Sequence, residues 1–245
     1  MNNMIEQISN RKITVNYIDK NIKIDKAEQE LIDNYWKTVP SFFTRGKIFV
    51  VDNIRRNSNS ILIDVSNSDY AHYIFVRRNP GKARDCYNLW AGILLETLDK
   101  KYVIGKMSNI TSSAGEYHIS GGSCDKGDIS DNSLNYEKTM YRELKEEIGL
   151  EKEDLREVCP KYIKNAFFTE QDIGIIFKAI VNKTSKELEE FYNNYLNILK
   201  KQNGEIEFDN LEYIDKNIKA INDFCLSSKT PEYTRRLLLE DASEK

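Results

Sequence analysis

The stretch YRELKEEIGL, residues 141–150, decides how the rest of the chain is read. Glu143, Glu146 and Glu147 are spaced i, i+3 and i+4, so on a helix they share one face. Met140, Leu144 and Ile148 form an adjacent apolar stripe, which predicts a helix packed along one side against a sheet. Gly149 lies where a helix C-cap belongs. Three like charges beside a buried edge need compensation, and a hard divalent cation such as Mg2+ or Mn2+ supplies it through oxygen ligands. The same residues also fit a solvated acidic face partnered by Lys138, Arg142 and Lys145, and the carboxylates alone favour that reading.

The flanking sequence adds context. A long helix is expected from about Ser133 to Ile148, preceded by a polar loop and by Gly121-Gly122. Backbone amides in a glycine-rich loop approach phosphate oxygens closely. That loop carries a further carboxylate in Gly127-Asp128. Residues 142–150, Arg-Glu-Leu-Lys-Glu-Glu-Ile-Gly-Leu, match every specified position in the second half of the Nudix box, R-E-U-x-E-E-x-G-U with U aliphatic. Gly122 resembles the opening glycine of that box, and EYHISGG resembles the strand leading into it.

The first half of the box departs from the family pattern. Counting forward from Gly122 to the expected glutamate reaches Asp128, while counting back from Arg142 reaches Leu134, so six extra residues lie between. Asp128 is aligned with the family glutamate, which places the extra residues in ISDNSLNYEK and leaves the role of Asp128 open.

The Nudix resemblance implies an α+β fold, a Nudix-like α/β/α sandwich with a mixed sheet, occupying residues 86–245 after a small N-terminal α/β unit at 1–85. It implies Mg2+- or Mn2+-dependent hydrolysis of the diphosphate bond in a nucleoside diphosphate linked to another moiety, releasing a nucleoside monophosphate. Glu143, Glu146 and Glu147 would hold the metal, and Arg142 would orient a helix carboxylate. Candidate bases for the attacking water are Glu143, Glu170, Glu205 and Glu207. Either Glu205 or Glu207, in GEIEFDNLEYI, is a candidate further metal ligand or base, with an exposed acidic loop the equal alternative. Residues 45–150 resemble the branch that cleaves nucleotide sugars such as UDP-glucose. Gly121, Gly122, Tyr117 and Arg77 are the candidate substrate contacts, with Trp90, Phe167 and Phe168 as candidate stacking aromatics and Arg78 and Lys82 as candidate phosphate clamps. His118, just before the glycine pair, stays in view by position, whereas His72 has no such context. The alternative is a non-catalytic Nudix-fold module that binds a nucleotide or a protein. The altered loop favours it and the intact glutamate set opposes it.

Bulk properties bound these readings. The chain has 245 residues, four dispersed cysteines and a net charge of -3. That length buries a substantial core. The charge balance argues against a nucleic-acid partner, and so against RNA cap removal. The cysteines lack metal-site spacing and read as free thiols in a reducing compartment. No secretory leader or membrane-length apolar run is visible, so a soluble cytoplasmic protein is expected. Alternation over 13–24 suggests a hairpin, 26–38 a helix, and 47–54 and 60–66 strands, while 69–78 fits either helix or strand. The apolar stripe of a helix at 186–201 is a candidate homodimer contact.

Overall fold

The computed structural model describes residues 4–8, 10–41, 43–166 and 171–244. In chain order it contains β1 (Ile5–Gln7), β2 (Lys12–Asn21), α1 (Lys26–Trp36), β3 (Lys47–Arg56), β4 (Ser60–Asp69), α2 (Tyr70–Arg78), β5 (Asn88–Glu96) and β6 (Lys101–Met107). There follow β7 (Tyr117–His118), β8 (Ser120–Ser123), β9 (Ile129–Ser130), β10 (Ser133–Leu134), α3 (Tyr136–Ile148), β11 (Leu155–Lys164) and β12 (Asp172–Val181). The chain closes with α4 (Ser185–Gln202), β13 (Phe208–Asp215), α5 (Ile218–Ser227) and α6 (Glu232–Ser243). Parallel and antiparallel pairs occur together, so the fold is α+β with a mixed sheet, as expected. No helix among the described residues is long and apolar enough to cross a membrane.

The chain divides into two compact units, one of Met1–Ala91, Ser123–Thr139 and Ile163–Ile175, the other of Gly92–Gly122, Met140–Tyr162 and Ile176–Lys245. In the first unit the strand order β3-β4-β2-β10-β9 is built on the β3–β4 hairpin. Asn57 closes that hairpin, its side-chain oxygen accepting the amides of Asn59 and Ser60. The hairpin expected at 13–24 is instead one strand, β2, running parallel to β4 with Ile13 beside Ile61 and Val15 beside Ile63. Alternation there marks one buried face, with no turn chemistry to reverse the chain. The ambiguous 69–78 is helix α2, started by Asp69, whose carboxylate accepts the His72 amide. Ala71 to Val76 are all buried, so no polar face gave the helical period away. This helix packs with Ile32 of α1 against Ile48, Val50 and Cys86.

The helix expected from Ser133 begins at Tyr136. Before it, Ile129 pairs with Leu134 and Ser130 with Ser133 around Asp131-Asn132, whose φ values of 48° and 58° suit a tight hairpin turn. Asp128 is buried and accepts from the Thr139 hydroxyl at 2.8 Å and the Asp125 amide at 3.0 Å.

In the second unit β6 pairs along its length with β13, and also with β5 and β7. Gly105 is required here, because a Cβ would lie 2.4 Å from the buried Phe208 ring. Helix α6 is fixed by Asp241, which is fully buried and receives Lys161, Lys178, Lys216 and the hydroxyls of Tyr102 and Tyr162. Lys178 and Lys216 also pair with the buried Glu96.

Candidate active site

The glutamate helix presents its cluster within the second unit. Met140, Leu144 and Ile148 are at most 2% exposed, and the edge of that stripe carries Glu143 at 8% and Glu147 at 4%. Glu146 lies one step further round, with a side chain 57% exposed. The three expected on one face are therefore two inward carboxylates and one at the rim.

Each inward carboxylate has its own cradle. Glu143 accepts from Arg142 Nη1 at 2.6 Å, and the same nitrogen reaches Glu146 at 3.4 Å. Gly122 faces Glu143 so closely that a Cβ would lie 2.5 Å from the carboxyl carbon. Glu147 accepts from Ser120 Oγ at 2.6 Å and the Gly121 amide at 2.9 Å. The glycine pair, expected to approach phosphate oxygens, here approaches the two glutamates by backbone. Burial pushes the Glu143 carboxyl up to about 7 against the pull of Arg142, with Glu146 and Glu207 adding to the rise. Burial likewise raises Glu147 well above the carboxylate range, reinforced by Glu207 and Glu143.

Glu207 directly precedes β13. Its carboxyl is raised by burial and by Glu205 and Glu146. Its backbone is pinned: Ser108 Oγ donates to the Ile206 carbonyl at 2.6 Å, the Ser108 amide to the Glu207 carbonyl at 2.7 Å, and Tyr192 to the Phe208 carbonyl at 2.6 Å. Glu205 is exposed. Neither Ser108 nor Ser120 was singled out by sequence reasoning. Ser120 sits beside the glycine pair, whereas nothing near Ser108 marks it.

Arg142 pairs with Glu143 and Glu146, and burial is the main cause of the raised carboxyls of Glu143, Glu147 and Glu207. Carboxylates are the hard-oxygen donors that a divalent cation takes. Among the described residues no three His, Cys, Asp or Glu side chains already stand as a metal-ligand group. Glu143 is turned to Arg142 and Glu147 to Ser120 and Gly121.

The other expected residues divide between the two units. Tyr117 is in this unit, its ring edge-on to Phe224 at 5.1 Å. His118 is held between Tyr233 at 3.0 Å and Glu116 at 3.1 Å. Arg77, Arg78, Lys82, Trp90 and Asp128 belong to the other unit. There Trp90 donates to Asp172 at 2.9 Å and packs on Gly174. His72 is buried between Ser68 and the Arg84 carbonyl, and burial lowers its pKa. Phe167, Phe168 and Glu170 lie outside the described residues.

No family model matches the chain, and no curated protein matches it. Among solved structures, DR0079 from Deinococcus radiodurans aligns with a TM-score of 0.50 at 12% identity, covering 80% of this chain and 98% of that one. A MutT protein from Methanosarcina mazei Go1 aligns at 0.43 and 18% identity, covering 63% and 91%. An Ap4A hydrolase from C. elegans aligns at 0.41 and 14% identity, covering 63% and 96%. The likeness to DR0079 shows a shared fold.

Proposed function

We propose that this protein is a Nudix-type pyrophosphohydrolase that cleaves the diphosphate bond of a nucleoside diphosphate derivative, with a nucleotide sugar as substrate. The observation that carries the reading is the burial of Glu143 and Glu147 beside Gly121-Gly122, electrostatically coupled to Glu207, on the helix that bears the Nudix-like glutamates. Glu143, Glu146, Glu147 and Glu207 would hold Mg2+ or Mn2+. Bound there, the metal would neutralise the diphosphate and lower the pKa of the attacking water.

The chain's own groups supply the rest. Arg142 holds Glu143, and Ser120 with the Gly121 amide holds Glu147, so both carboxylates are oriented before substrate arrives. Glu143, Glu205 and Glu207 are the described candidates for accepting the proton of the water. The absence of a side chain at Gly122 leaves room for the Glu143 carboxylate, and Gly121, Gly122 and Tyr117 are the candidate substrate contacts in this unit. The nucleotide-sugar choice rests on the resemblance of residues 45–150 to that branch.

A second reading is a binding module that senses a nucleotide without hydrolysing it. Its support is that Glu143 and Glu147 already have internal donors. The test is Mg2+-dependent release of nucleoside monophosphate from UDP-glucose, GDP-mannose, ADP-ribose, NADH, dinucleoside polyphosphates and capped RNA. Selective turnover of the nucleotide sugars supports the proposal. Turnover of another member retains the hydrolase and replaces the substrate. Binding without turnover favours the sensor.

A further inference from the structure

Helix α4 is more than a surface element. Its N-terminus is fixed by the Thr184–Glu187 capping box and by Asp99, which accepts from the Ser185 amide and hydroxyl. Its far end is closed by Asn203 in the left-handed conformation, φ 52°. Between these anchors Tyr192 and Tyr195 lie three residues apart, with ring centroids 6.5 Å apart.

The two hydroxyls act on the two separate segments that carry the carboxylates. Tyr195 donates to the carbonyls of Lys145 and Glu146, both at 2.9 Å. Those carbonyls belong to the last turn of α3, where the Lys145 carbonyl also accepts the Gly149 amide at 3.0 Å. Gly149 lets the ring come this close, since a Cβ there would lie 2.7 Å from it. Tyr192, 2% exposed, donates to the Phe208 carbonyl, next to Glu207.

We propose that Tyr192 and Tyr195 are positioning residues that set the placement of Glu207 relative to Glu143, Glu146 and Glu147, and so set metal affinity at the site. This rests on the metal-dependent reading of that site. One helix grips both segments by their backbones, so the tyrosine hydroxyls occupy carbonyls and not the carboxylates. Tyrosine is suited to this because its hydroxyl reaches a carbonyl from a stiff, packed ring.

The experiment is Mn2+ titration, followed by electron paramagnetic resonance, of wild type, Tyr192→Phe, Tyr195→Phe and the double variant, with thermal midpoints measured in EDTA. Tyr102→Phe is the control, because it removes a buried hydroxyl hydrogen bond at Asp241. The expected result is a Mn2+ dissociation constant raised by about tenfold in each single variant and further in the double. The control should lose comparable stability with Mn2+ affinity unchanged. Wild-type Mn2+ affinity in the tyrosine variants overturns the proposal, as does an equal loss in Tyr102→Phe. Absence of Mn2+ binding by wild type removes the metal reading itself, and this inference with it.

Discussion

At the scale of single residues, Gly122 and Glu143 are the tightest coupling in the site. A methyl group at 122 would collide with the Glu143 carboxylate at about its present position, with Cβ 2.5 Å from the carboxyl carbon. Gly122→Ala is therefore expected to lower kcat by about 10²-fold while the folded protein persists, measured by turnover alongside the thermal midpoint. Glu146→Gln and Glu147→Gln are each expected to abolish turnover with the fold intact, read by nucleoside monophosphate release at saturating Mg2+. The i, i+3, i+4 spacing made these glutamates legible. It did not tell inward from rim, because Glu143 and Glu147 flank the apolar stripe while Glu146 sits beyond it. Ser108 and Ser120 were illegible for a different reason: a serine that holds a carbonyl or a carboxylate looks like any other serine in sequence.

Protonation follows from the same residues. The folded pKa of Glu143, about 7, lies above its ordinary value of 4.5, so in this pH window the metal-free folded protein binds more protons than the unfolded chain. Its stability should fall as pH rises from about 4.5 through 7. Glu143→Gln should flatten that slope, by an amount on the order of 3 kcal/mol. Urea unfolding in EDTA at several pH values checks this; a metal-free protein that gains stability across the window contradicts it.

At the scale of elements, periodicity located the glutamate helix, α1, α4 and the strands around residues 47–66, because each has a polar and an apolar side. It failed where an element is buried all round, as in α2, and where two readings share one alternation, as in β2. The β9–β10 hairpin was hidden inside the expected helix start, since Asp131-Asn132 reads as polar loop until its backbone is seen. The Asp241 cluster could not be read at all. Its members come from β6, β11, β12, the residue after β13 and α6, and Tyr102 lies 139 residues from Asp241. Asp241→Ala leaves three lysines and two buried hydroxyls around an absent carboxylate, and should cost about 3–5 kcal/mol of unfolding free energy. Chemical denaturation measures it, and a loss under about 1 kcal/mol contradicts the clasp.

At the scale of the whole molecule, two sets of carboxylates pull stability in opposite directions with pH. Burial opposes the ionisation of Glu96, but Lys216, Lys178 and Lys100 outweigh it and hold the carboxyl at about 2. The His118 hydrogen bond holds Glu116 at about 2 despite burial. Both contribute stability that is present above 4.5 and lost as pH falls toward 2. Glu143 and Glu147 act in the reverse sense above 4.5. The metal-free protein should thus be most stable near the lower end of the range between 4.5 and 7. Mg2+ should move that maximum toward neutral pH, seen as a thermal shift that grows from pH 5 to pH 8. A metal-induced shift that shrinks over that range contradicts a carboxylate site.

The central claim is that the buried glutamates of α3 carry metal-dependent hydrolysis, and the most direct measurement compares wild type with Glu147→Gln on the substrate panel at saturating Mg2+. The account predicts nucleoside monophosphate release by wild type, none without metal, and loss of about 10³-fold or more in the variant with an unchanged circular dichroism spectrum. Near-normal turnover by the variant, or no turnover by wild type on any member with Mg2+ or Mn2+, would contradict it.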